Sequence, residues 1–105
     1  MSGSPEAIES SSDNLKIIME YDTTLDDTVE PNFSQFEVFI GGTSIGNPID
    51  LAIANTKVTL NMGVNSTTSS QSITLTYSKD ANNIQDNDGK EARELVEKDV
   101  VNDLP

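Results

Sequence analysis

The chain has 105 residues, 18 acidic against 6 basic side chains for a net charge of −12, and no Cys, His or Trp. That length suits one small domain. The missing Cys and His exclude disulfides, Ser-His-Asp and Cys-His nucleophiles and ordinary zinc sites, which leaves oxygen ligands of the kind calcium takes; the negative charge repels nucleic acid and anionic membrane, and no apolar run has the length of a membrane span.

Met1-Ser2-Gly3-Ser4-Pro5 reads as an artificial start and not as a signal peptide, and Glu6 to Asp13 as a linker. Ser- and Glu-rich with little to bury, residues 1–13 are expected to be disordered, and residues 14–105 to form a single domain. From Leu15 the apolar period is two. Leu15, Ile17, Met19 and Tyr21 share one face, and Phe36, Val38 and Ile40 repeat the pattern. Ile49, Leu51 and Ile53 follow, then Val58, Leu60 and Met62, then Ile73, Leu75 and Tyr77. Gly41-Gly42 and Asn55-Thr56 sit where hairpin turns belong. Short alternating runs punctuated by Gly, Asn, Asp or Pro predict an all-β antiparallel sandwich of about seven strands. Ile17, Met19, Phe36, Val38, Leu60, Ile73, Leu75 and Tyr77 are the expected core.

Residues 22–35 are too long and polar for a tight hairpin, and Leu25, Val29 and Phe33 at helical spacing suggest a short turn plugging one end. Residues 65–72 read as an exposed loop. In residues 90–101 strong helix formers, with Ala92, Leu95 and Val96 at helical spacing, compete with the need to cover a sheet edge. A final strand near Leu95–Val101 satisfies the edge.

Two connections concentrate acid: Asp22, Asp26, Asp27 and Glu30 in the first, Asp80, Asp86 and Asp88 in the second. Hard cations favour such oxygen clusters, so Asp22, Asp26, Asp27, Asp86 and Asp88 are candidate calcium ligands. The competing reading is two solvated loops. Asp86-Asn87-Asp88-Gly89 does not fit an EF-hand. With Gly89 at the sixth loop position, Ile84 and Leu95 fall on the first and twelfth, where ligands are required. A turn in which Asp caps its own backbone explains the same residues. Strand parity decides whether the two acidic loops can meet. Seven reversing strands put them at opposite ends, where calcium would bridge tandem copies. If Thr43–Ile45 continues into Ile49–Ile53, the count is six and both loops share one end.

Several pieces together resemble the bacterial cell-surface SWM (SwmB-type) repeat of swimming-motility and adhesin-associated proteins. They are Asp22 with Leu25-Asp26, then Pro31, Ser34, Phe36 and Val38, the Gly pair, Val58-Thr59-Leu60, Leu75-Thr76-Tyr77, and Ile84-Gln85-Asp86 with Gly89. The likeness covers roughly residues 15–103, with allowance for boundary error. Lys90 stands where the family commonly has Asn, and charged Glu91, Arg93 and Glu94 replace its Ala-rich stretch. The resemblance implies an immunoglobulin-like sandwich at the cell surface or outside the cell. It also implies a non-catalytic spacer or stalk whose partners are neighbouring repeats of the same chain. The alternative is a carbohydrate- or protein-binding module that uses its loops. Phe39 and Tyr77 are the aromatic rings a sugar could stack on. Nothing in the residues points to an enzyme.

Overall fold

The computed structural model describes residues 3–5, 7–11, 15–63 and 71–101. Among them run eight strands: β1 Ala7–Ser11, β2 Lys16–Glu20, β3 Phe36–Ile40, β4 Thr43–Gly46, β5 Asp50–Ala54, β6 Lys57–Asn61, β7 Ile73–Tyr77 and β8 Leu95–Val100. They form two four-stranded antiparallel sheets, β1-β2-β6-β5 and β4-β3-β7-β8. The fold is an all-β sandwich.

Period-two alternation positions the core. In β2, β6 and β7 every second side chain is buried, and the ones between are more accessible. Register carries the apolar face across each sheet. Met19 pairs with Val58 and Ile17 with Leu60 in one sheet; Val38 pairs with Leu75 and Phe36 with Tyr77 in the other. All eight expected core residues are buried in one cluster drawn from both sheets. Gly41 and Gly42 both take positive φ in the β3–β4 turn, which any residue with a Cβ would resist.

Three expectations need correction. The first thirteen residues are not linker throughout, because Ala7–Ser11 pairs with β2 along its full length. Ile8 is buried in the core, and backbone pairing supplies what the Ser-rich composition lacks. The second concerns Ile49, which is 63% exposed and turned away from the core side chains Leu51 and Ile53. The chain is still crossing between sheets there, so the strand alternation starts only at Asp50. The third is the plug. Leu25 is buried, but the helical turn is a 3-10 turn at Phe33–Gln35. Gln35 turns inward, while Phe33 remains 43% exposed. Most of the loop expected at residues 65–72 lies outside the described residues.

The C-terminal segment is a strand. β8 pairs with β7, with a register shift opposite Leu75–Tyr77. Glu97 takes φ 44 and donates its N–H to the Thr76 hydroxyl, as an extra residue in a bulge does. Val101 then leaves its own sheet: its N–H donates to Ile8 and its carbonyl accepts from Ser10, tying β8 to β1.

Strand direction answers the parity question. β4 is antiparallel to β3, β6 to β2, and β5 to β6. β4 and β5 therefore both run toward the end where β2 finishes. Residues 47–49 carry one continuous run from one sheet to the other, past Gly46 at φ 94 and the buried Pro48. Seven strands follow from β2 onward, but β4 and β5 run the same way, so the parity is that of the six-strand alternative and both acidic loops lie at the same end.

Candidate functional site

The acidic loops do more than share an end; they pair. Leu25 and Asp86 form an antiparallel bridge, and the Asp26 N–H donates to the Gln85 carbonyl at 2.9 Å. The Leu25 N–H also reaches Asn55, so the β5–β6 turn joins the same cap. Asn55 holds a positive φ there, which Asn tolerates better than most residues. Two loops that are separate in sequence become one cap over the core.

The five candidate calcium ligands divide within this cap. Asp26 and Asp86 are brought onto paired neighbouring backbone, but Oδ1 of each is already engaged. Asp86 Oδ1 accepts from the backbone N–H groups of Lys90 at 2.9 Å and Asp88 at 3.0 Å. The Asp86 backbone closes the same turn through Lys90 and Gly89. This is the self-capping turn, and Gly89 supplies its positive φ. Asp26 Oδ1 accepts from the Thr28 hydroxyl at 2.6 Å and the Thr28 N–H at 2.9 Å, while its Oδ2 faces the Gln85 amide at 3.4 Å. Asp22, Asp27 and Asp88 are exposed. Among the described residues no group of three or more acidic side chains is placed to hold a metal ion.

These bonds hold both carboxyls below the usual carboxylate range. For Asp26 the main cause is the Thr28 hydroxyl, followed by the Thr28 N–H. For Asp86 it is the Lys90 N–H. Charge on each oxygen is stabilised by donors the fold supplies.

Beneath the acids lies a polar link absent from the sequence reading. Gln35 Nε2 donates to Asn83 Oδ1 at 3.2 Å and to the Ser78 carbonyl at 3.1 Å, while its Oε1 accepts from the Asn32 N–H. Asn83 in turn closes its own loop on Asp80 and reaches Glu91. Both Gln35 and Asn83 are buried. The signal available in sequence was Asn32 followed three residues later by Gln35, the spacing of a capping box.

Two tyrosines floor the cap. Tyr77 stacks on Phe36 with ring centroids 4.9 Å apart, and its hydroxyl accepts from the Ile84 N–H at 2.9 Å. Burial pushes its phenol up to about 12. Tyr77 is thus a core residue and unavailable to a sugar, because its inward register places it at the sheet interface. Tyr21 is 1% exposed, and its hydroxyl has no hydrogen-bond partner. Burial, and secondarily the neighbouring Tyr77, raises its pKa further. Phe39 is half-buried on the outer face. A shallow open hollow of about 260 Å³ is lined by Glu30, Pro31, Asn32 and Phe33.

No family model, curated protein or solved structure matches the chain.

Proposed function

We propose that this domain is a non-catalytic spacer or stalk repeat of a large secreted or cell-surface bacterial protein. The observation that carries the reading is the path of the chain. β1 begins at the acidic end, since Ala7 pairs with Glu20, and β8 finishes at the far end, since Val100 pairs with Ile73. Copies joined in tandem would chain head to tail along a body whose longest dimension is 39 Å. The resemblance to the SWM repeat supports the same role. The strand orders also favour immunoglobulin-like topology, in which a four-stranded ABED sheet faces a CFG sheet, here with one added edge strand.

Small-angle X-ray scattering on a two-copy chain tests the reading. The maximum dimension should grow by nearly one 39 Å domain length over the single copy. A two-copy chain that folds back to little more than the single-domain length would overturn it.

The second reading is a carbohydrate- or protein-binding module, favoured by one feature: the half-exposed Phe33 ring beside the hollow at residues 30–33. That hollow is smaller than ordinary small-molecule pockets. Titration with surface glycans would support the module only if Phe33→Ala abolished binding. Because both acidic loops share one end, a thermal shift with calcium, if calcium binds there, should be seen in the single domain by itself.

A further inference from the structure

We propose that β5 is an interchain pairing edge, through which two copies of this chain join antiparallel β5 strands into one continuous sheet. This goes beyond the spacer reading and does not depend on it.

Sheet edges with unpaired backbone groups attract other strands, and proteins blunt them with bulges, charges and covering segments. Among the described residues, three of the four edges are managed. β8 is bulged, carries Glu97, Lys98 and Asp99, and is tied to β1 at Val101. β1 receives that same tie. β4 is four residues long, pairs with a register shift at Val38–Phe39 and ends at Gly46. β5 is different. Its register with β6 runs unbroken from Asp50 to Ala54. Its exposed side chains are Asp50 and the small Ala52 and Ala54, with exposed Ile49 just before them.

The backbone direction can be read from one bond. Asp50 Oδ1 accepts from the Leu51 N–H at 2.9 Å, so that N–H points away from β6. Leu51 and Ile53 therefore present their backbone groups outward, and Asp50, Ala52 and Ala54 present theirs to β6. A two-fold antiparallel pairing with Leu51 opposite Ile53 of the second copy uses both outward residues on each strand. Ala52 then faces its own copy at the axis, where only two methyl groups meet. Asp50 faces Ala54 of the other strand. On that face the next residue inward is Lys57, which pairs with Ala54 across β6 and is exposed. With only the Ala54 methyl between them, Asp50 of one copy pairs with Lys57 of the other, and the relation repeats by symmetry. Asp50 exchanges its own Leu51 N–H for that lysine as the second strand arrives. Antiparallel pairing suits chains that approach from facing surfaces.

Each copy carries −12, so the association should strengthen as salt screens the repulsion. Sedimentation velocity on the full chain, from micromolar to millimolar concentration in low and high salt, reads the dimer directly. Ala52→Lys places two ammonium groups together at the axis and should abolish the dimer. Its melting temperature at low concentration should stay unchanged, because Ala52 faces solvent there. The chain has no native Cys, so an introduced thiol is unique. Ala52→Cys should oxidise to a covalent dimer, because opposed residues at such a site lie about 4.5 Å apart at Cα, within disulfide reach. Ala54→Cys should not, since each thiol faces Asp50 of the other copy. A monomer under every condition, a dimer indifferent to Ala52→Lys, or equal cross-linking of the two Cys variants would overturn the proposal.

Discussion

The two tyrosines at the acidic end make opposite use of the same phenol. The Tyr77 hydroxyl satisfies the buried Ile84 N–H, while the Tyr21 hydroxyl is buried without a partner. Tyr77→Phe should therefore cost about 1–3 kcal/mol by leaving a buried donor unpaired. Tyr21→Phe should raise stability by about 1 kcal/mol, since it removes a desolvated hydroxyl and keeps the ring. Urea unfolding of both variants checks the sign. The phenols also set an alkaline limit. A raised folded pKa contributes stability that is present below the ordinary value of 10 and lost as pH rises toward about 12 for Tyr77. Stability measured between those values should fall, and the Tyr77→Phe profile should be flatter. In the core, Leu75→Ala should cost about 2–5 kcal/mol, because the side chain is fully buried between the sheets. A denaturant midpoint close to that of the parent chain would show the site to be more forgiving than its burial implies.

At the scale of the elements, the acidic loops are turns fastened to one another. Asp86→Ala should lower the melting temperature by several degrees, equally in calcium and in chelator, because what is lost is the cap on the Lys90 and Asp88 N–H groups. A loss confined to calcium-containing buffer would instead assign the carboxylate to a metal. Acid acts on the same bonds. Asp26 and Asp86 titrate below the ordinary 3.8, so their contribution is present above about pH 4 and lost as pH falls through their folded values. Gly89→Ala should cost about 1–2 kcal/mol for backbone reasons alone, since a Cβ there would meet open space and only the positive φ resists it. The self-capping turn was legible in Asp86-Asn87-Asp88-Gly89, because it is local chemistry. The Gln35–Asn83 bond was not, because its partners lie 48 residues apart and neither looks buried in composition.

Over the whole molecule, charge and topology separate. Net charge −12 opposes the compact state, so the melting temperature should rise with sodium chloride as like charges are screened. A larger rise with calcium than with sodium at matched ionic strength would point to specific binding.

Sequence alone determined the fold class and most of the core. Alternation in Lys16–Glu20, Lys57–Asn61 and Ile73–Tyr77 commits each strand to one buried face, and a one-residue slip would expose it. It also ruled out Cys and His chemistry by composition. Tertiary structure decided the rest. Ala7–Ser11 becomes a strand only because the edge of β2 is there to receive it. Residues 90–101, with strong helix formers, end in a strand because β7 offers an edge and Val101 a link to β1. The acidic loops meet because β4 crosses into β5 without reversing, which no local pattern encodes. Pairing is a long-range choice between competing edges, and it overrides local preference wherever that preference is weak.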